Sequence, residues 1–209
     1  MSDIHPSSVI AEGAVIADGC KIGPFCVIGP EVVLEAGVTL KSHVVLDGDT
    51  RIGEDTTVYA FAVLGEIPQD LKFDGEKSCL RIGNRNRIRE HVTINTGTAG
   101  GGGETRIGDD CLLMAGSHIA HDAQLGDRIV IVNSTAIAGH CIIEDDVIVG
   151  GLCGVHQFVR IGRGAIIGAL SMVTSDVIPH GLVMGPRGEL DGLNLVGLKR
   201  KGVDRADIT

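Results

Sequence analysis

Residues 107–143 read IGDDCLLMAGSHIAHDAQLGDRIVIVNSTAIAGHCII. An aliphatic side chain falls on every sixth position: Ile107, Leu113, Ile119, Leu125, Ile131, Ile137 and Ile143. A helix repeats every ~3.6 residues and a strand every ~2, so a sustained six describes short strands joined by turns and stacked into a parallel β-helix of hexapeptide units. The phase continues through Val149, Val155, Ile161, Ile167 and Val173. Upstream it holds from Ile4 to Leu64, and again over Ile82, Ile88 and Ile94. Four residues after each aliphatic comes a small or β-branched side chain, as at Ala14, Cys20, Cys26, Val32 and Val38. Each unit thus presents two inward side chains and then a turn. The residue after the aliphatic is often glycine or acidic (Gly23, Gly29, Glu35, Gly53), and glycine there is expected to supply a positive φ. One unit cannot cover its own apolar face, so neighbours must stack. Three units form an 18-residue coil, and the 26 hexad positions give between eight and nine coils. At ~4.8 Å per coil the prism is about 40 Å tall.

The composition fits a narrow prism. The 209 residues are 44% hydrophobic but only 2% aromatic, without Trp, and stacked aliphatics need no bulky rings. The 31 glycines fall in phase with the repeat, so they mark turns rather than disorder. No apolar run is long enough to span a membrane, and the start Met1-Ser2-Asp3-Ile4-His5-Pro6 lacks the basic and apolar regions of a signal peptide. Five of the six cysteines (Cys20, Cys26, Cys111, Cys141, Cys153) occupy the small inward position, and none pair at the coil spacing or form a C-x₂-C. They read as reduced core residues of a cytoplasmic protein. A net charge of −9 argues against a general nucleic-acid binder. Basic residues still cluster at Arg81, Arg85, Arg87 and Arg89, and at Lys199, Arg200, Lys201 and Arg205. These are either solvated turn positions or local docking points for an anionic group.

The period breaks twice. Residues 65–81 carry Ile67-Pro68-Gln69-Asp70-Leu71-Lys72-Phe73-Asp74, and residues 96–106 carry the run Gly100–Gly103. Both read as external loops, where function concentrates on rigid scaffolds. The glycine run lacks the Lys-Ser/Thr ending of a phosphate loop. After Val173 the period fades through Pro179, Gly181, Gly185, Pro186 and Gly188. The β-helix is therefore placed at 1–185 and a linker at 186–209, ending in the first residues of a truncated helical domain, with Asp204 as helix cap and Asp207 in the first turn.

Four of the eight histidines, His118, His121, His140 and His156, lie in the third run. Stepping 18 residues from His121 reaches Gly139, beside His140; a second step reaches Gln157, beside His156. The imidazoles therefore collect near one corner of successive coils, about 5 Å apart. Zinc binding and general-base catalysis both use such a column. The pair here is His-x₂-His, unlike the His-x₄-His of β-helical carbonic anhydrases, and no metal or other cofactor is expected. Asp122 directly follows His121 and is a candidate to orient its ring. A scaffold without catalytic function would not need outward histidines.

Several motifs carry a resemblance: Asn86-Arg87-Ile88-Arg89-Glu90, Gly65-Glu66 with Gln69-Asp70-Leu71-Lys72, Ala120-His121-Asp122, Ala138-Gly139-His140, Val155-His156-Gln157-Phe158 and Gly197-Leu198-Lys199-Arg200. Together they resemble the acyl-carrier-protein–UDP-N-acetylglucosamine O-acyltransferases that begin lipid A synthesis, over essentially the whole chain. The repeat alone indicates only a large superfamily of hexapeptide acyltransferases. The resemblance implies an all-β, left-handed parallel β-helix and a homotrimer with sites between prisms. It implies transfer of an (R)-3-hydroxyacyl chain from acyl carrier protein to the 3-position of UDP-N-acetylglucosamine, without membrane insertion.

The resemblance also assigns roles. His121 is the expected general base, and the Gly139 backbone N–H the oxyanion donor. Asp70 is expected to hold sugar hydroxyls, and Lys72 to help position the reactants from the neighbouring subunit. Gln69, His118, His140, His156 and Gln157 would line the groove, and Asn194 and Arg200 would lie near the nucleotide and its phosphates. Arg85, Arg87 and Arg89 would form a landing patch for the acidic carrier. Some positions depart from the family pattern. Asn95 stands where His is frequent, so the acceptor is either the 3-hydroxyl or a 3-amino group of the analogous sugar. Arg187 replaces a frequent His, and Lys201 a frequent Arg. Ala169, at the position that limits acyl length, implies a medium-to-long chain.

Overall fold

The structure is a computed structural model that describes residues 1–186, 188–204 and 206. It is a left-handed parallel β-helix with three faces. The first face has eleven strands, from Asp3–Ile4 to Glu189–Leu193; the second has nine, from Val9–Ile10 to Met172–Val173; the third has eight, from Val15–Ile16 to Arg160–Ile161. Most strands are two residues long. The register follows the sequence period: Ile4 pairs with Ile22, Val27 with Val45, and Ile137 with Val155. From Cys20 onward both inward positions of each unit are buried, while in the first coil Ile4 is exposed and Ile10, Ala14 and Ile16 are partly buried. Leu34, Leu40, Leu46, Ile52, Val58 and Leu64 fill the axis together with Val32, Val38, Val44 and Ala62. All six cysteines are free thiols, five of them buried, and burial pushes Cys111 and Cys141 up to about 11.

Two coils carry insertions. Thr57 pairs with Arg87, thirty residues on rather than eighteen, so the first loop inserts twelve residues. Arg87 pairs with Leu112, twenty-five on, so the second inserts seven. Twelve is a multiple of six and leaves the phase intact, whereas seven shifts it by one. Both loops leave the end of a second-face strand (Val63–Glu66, Thr93–Asn95) and rejoin a third-face strand (Cys79–Ile82, Glu104–Ile107). They therefore project from one corner.

Two expectations are corrected and one is extended. Gly23, Gly29 and Gly53, each after an aliphatic, do not supply a positive φ; Gly65, where the first loop departs, does. Among the described residues sixteen non-glycines do adopt positive φ, among them Phe25, His43, Asp55, Arg85, Asp122 and His140, and they form the corners. Gly29 and Gly53 are required for another reason: a Cβ would come within 2.4 Å of Asp47 Oδ1 and 2.5 Å of the Gly83 carbonyl carbon on the next coil. The stretch read as a linker from 186 on is also more ordered than that. Gly181–Met184 joins the first face beside Ile166–Ile167, and Glu189–Leu193 folds back antiparallel on it. Finally, a helix not expected from the sequence precedes Asp204: it spans Leu195–Arg200 and is capped by Asn194, whose Oδ1 accepts from Gly197 N at 2.9 Å. Asp204 follows this helix, and its Oδ1 accepts from Ala206 N at 3.3 Å; Asp207 lies outside the described residues, as do Arg187 and Arg205.

Candidate active site

The histidine corner is the loop corner. His121 and Asp122 turn the chain from the second face to the third, directly beyond the two insertions in the stack. Asp122 has φ 59° and is followed along the same edge by His140 (φ 62°) and Phe158 (φ 66°). His121 Nδ1 lies 2.8 Å from Asp122 Oδ2, and the two residues are only 7% and 3% exposed. The carboxylate also accepts from Thr98 N at 2.8 Å and from Thr98 Oγ1 at 2.7 Å, while Asp122 N donates to Thr105 Oγ1. An ionised carboxylate only accepts hydrogen bonds. The proton in the His121–Asp122 contact therefore sits on Nδ1, which leaves Nε2 as the acceptor nitrogen whenever the ring is neutral.

The remaining imidazoles differ in setting. His140 meets His121 edge-on, with centroids 5.0 Å apart and planes at 87°, and stacks on Phe158 at 4.5 Å. Its Nδ1 is 3.7 Å from Asp122 Oδ2. His118 Nδ1 contacts Thr93 Oγ1 at 2.7 Å, and burial, then the charge of His121, holds its pKa below the ordinary value. His156 and Gln157 are exposed, one coil further on. Gly139 packs under the His121 ring, where a Cβ would lie 2.6 Å from Cε1 and 2.8 Å from Nε2. Its N–H makes no hydrogen bond to another described residue. Ligand atoms of His121, Asp122 and His140 lie within 4.8 Å of one another. However, the Asp122 oxygens are already engaged by Thr98 and His121, a donor set suited to orienting an imidazole rather than to gathering metal ligands.

The loop residues divide into two groups. Asn95, 5% exposed, donates from Nδ2 to the carbonyls of Glu66 and Ile67, and its Oδ1 is buried without a partner. It thus pins the base of the first loop. Gln69 and Lys72 are exposed, and Asp70 accepts from Lys72 N at 3.0 Å. Asn194 and Arg200 are not brought to His121 within one chain. Asn194 Nδ2 donates to Gly164 O and Lys201 pairs with Asp146, which places the helix at the corner between the third and first faces. Ala169 sits at the remaining corner. Between it and His121 the outer surface of the second face carries His118, Ala136, Gly154 and Met172 in register. The basic cluster does not form one patch. Arg81 is bidentate to Asp49, Arg85 pairs with Asp109 and Asp110, and Arg89 pairs with Glu90 over the Tyr59 ring, which leaves Arg87 without an ion pair among the described residues.

Sequence reasoning missed Thr98 and Thr105, and quoted Phe158 in a motif without giving it a role. Phe158 was findable, since it lies 18 residues beyond His140; the threonines lie in or beside an aperiodic loop.

Two family models match: six bacterial transferase hexapeptide repeats over residues 104–139, and the second domain of UDP N-acetylglucosamine O-acyltransferase over residues 176–209. A Paracoccus denitrificans acyl-[acyl-carrier-protein]–UDP-N-acetylglucosamine O-acyltransferase is 72% identical over 72% of this chain, a stretch spanning 58% of that relative. An Agrobacterium fabrum protein of the same name is 50% identical over 98% of this chain and 76% of its own length. The crystal structure of UDP-N-acetylglucosamine O-acyltransferase from Moraxella catarrhalis matches with a TM-score of 0.95 and 42% identity, covering 98% of this chain and 80% of that one. With a hexapeptide prism, two loops on one edge and a His-Asp pair beneath them, the chain belongs to the acyl-[acyl-carrier-protein]–UDP-N-acetylglucosamine O-acyltransferase family.

Proposed function

We propose that this chain transfers an (R)-3-hydroxyacyl group from acyl carrier protein to the 3-position of UDP-N-acetylglucosamine, the first step of lipid A synthesis, in the cytoplasm. The observation that carries the reading is the buried Asp122–His121 pair, which lies at the edge from which both loops project, with Gly139 packed against its ring. Neutral His121 takes the proton of the 3-hydroxyl as that oxygen attacks the thioester carbonyl carbon. The tetrahedral oxyanion is met by the Gly139 N–H. Collapse breaks the C–S bond, and the imidazolium returns its proton to the departing carrier thiolate. No acyl-enzyme is needed.

The acyl chain is read as lying along the second face, over Ala136 and Gly154 toward Ala169, because small residues leave room there. The homotrimer is supported by three features. The outer second face is apolar at Val9, Val27, Val45 and Val63. Gln69 and Lys72 are exposed, and Asn194 and Arg200 sit at a corner from which only another copy brings them to His121. Arg200, by its planar fork, suits a diphosphate. Gln69, Asp70, His140, His156 and Gln157 are assigned to the sugar-nucleotide groove around that junction. Asn95, with a buried acceptor oxygen, is assigned to the sugar side; both a 3-hydroxyl and a 3-amino group could donate to it. Offering both sugar nucleotides with hydroxyacyl carriers of several lengths, and weighing the products, tests acceptor and chain length together. Absence of transfer to either acceptor would sink the proposal.

A further inference from the structure

The two loops are joined to each other before they reach the site. Glu76 of the first accepts from Asp74 N at 2.9 Å and, across the gap, from Ala99 N at 3.1 Å. Ser78 Oγ donates to Thr96 Oγ1 at 2.9 Å. The second loop then folds into a short 3₁₀ turn, Ala99–Gly101, with the Gly101 and Gly103 N–H groups donating to Thr98 O. This turn lies directly on Asp122: a Cβ at Gly101 would fall 2.0 Å from the Asp122 carboxyl carbon. Thr98 is itself 6% exposed and turns both its N–H and its hydroxyl on that carboxylate, one to each oxygen.

The consequence concerns rotation. A carboxylate held only by His121 could swing about its terminal torsion, which is broad and roughly two-fold. Held at both oxygens, it presents Oδ2 to Nδ1 in one orientation. We propose that Thr98 is a positioning residue: through the Asp122 carboxylate it fixes His121 in the Nδ1–H tautomer, keeping Nε2 free as the base. This rests on the reading of His121 as general base. The glycine run has a steric role here, since Gly101 lets the loop backbone close onto the carboxyl group.

The test uses the full chain in an acyl-transfer assay, with imidazole-¹⁵N spectra to report the His121 tautomer. Thr98→Val keeps the backbone N–H and the shape but removes the hydroxyl. It is expected to lower kcat by about 10- to 100-fold, the scale on which small misplacements act. KM for both substrates should stay within roughly twofold, because the lost interaction serves the transition state. The His121 resonances should move from a single tautomer toward a mixture. Thr98→Ser should recover most of the rate and the single tautomer. Gly101→Ala, which forces loop and carboxylate apart while leaving the hydroxyl, should reproduce the Thr98→Val spectrum and loss. In a His121→Ala background, Thr98→Val should have no further effect. An inactive His121→Ala together with Thr98→Val at more than half the normal kcat, or with an unchanged tautomer, overturns this inference alone. Near-normal turnover in His121→Ala overturns the general-base reading, and this inference with it.

Discussion

Two edges of the prism carry stacked aromatic columns, and only one reads as a site. On the corner between the first and second faces, Phe25, His43, Phe61 and His91 stack with centroids 4.9, 4.9 and 5.1 Å apart. On the corner between the second and third, His140 stacks on Phe158 and meets His121 at comparable distances. The first column, and His140 with Phe158 in the second, arise because a residue with positive φ recurs once per coil and projects outward at the coil spacing; at His121 the positive-φ residue is its neighbour Asp122. The first column is exposed, and the rings of His43 and His91 make no hydrogen bond to a described residue. The second has a buried carboxylate under a loop. Alignment of imidazoles thus follows from the repeat, whereas basicity and orientation depend on what an insertion lays over them.

The sharpest way to break this comparison is to remove one histidine from each edge. His121→Ala is expected to lose 10²- to 10⁴-fold in turnover, the usual contribution of a general base, with circular dichroism unchanged; His43→Ala should keep its turnover. Equal losses from both would mean that the edges do not differ in chemistry. A smaller effect is expected from Gly139→Ala, whose Cβ would press the His121 ring. About a hundredfold in kcat should go, with thermal stability nearly kept. Ala169→Met should leave the reaction intact and shift the preferred acyl length downward, read from product masses, while Ala169→Gly shifts it upward. On the other edge, Phe61→Ala should cost about 1 kcal/mol of stability from lost ring stacking, measured by denaturant unfolding. The weakest effect concerns His118. Burial depresses its folded pKa, so the unfolded chain binds the proton first. Its stabilisation is complete above the ordinary pKa of about 6.5 and is lost as the pH falls below it. Melts between pH 7 and 5 should show a shallower decline in His118→Gln.

The prism was legible because its signal is one-dimensional. Each buried position is set by the same local rule, so Ile107 through Val173 could be assigned without contacts. That both insertions leave the same edge was also latent in the phase of Leu64 and Ile94. The site was legible only where its residues belong to the repeat. His121, Gly139 and His140 follow from coil arithmetic. Thr98 and Glu76 act from aperiodic segments, where no spacing predicts a partner. The glycines after the aliphatics were misread because sequence shows a missing side chain without showing whether φ or a neighbouring coil requires it. The arginines near residue 85 looked like one patch because sequence shows proximity along the chain, while the carboxylates that answer Arg81 and Arg85 lie a coil away.

The insertions also bear on how the chain assembles. Ordinary coils close over eighteen residues, and the two coils with insertions close over thirty and twenty-five. Loop-closure entropy grows only with the logarithm of length, so lengthening eighteen to thirty adds about 0.5 kcal/mol. A solenoid folds by nearest-neighbour docking, so such a coil slows propagation little. The edge that carries the chemistry is therefore cheap to elaborate: loop length can change there while the ladder above and below still finds its register.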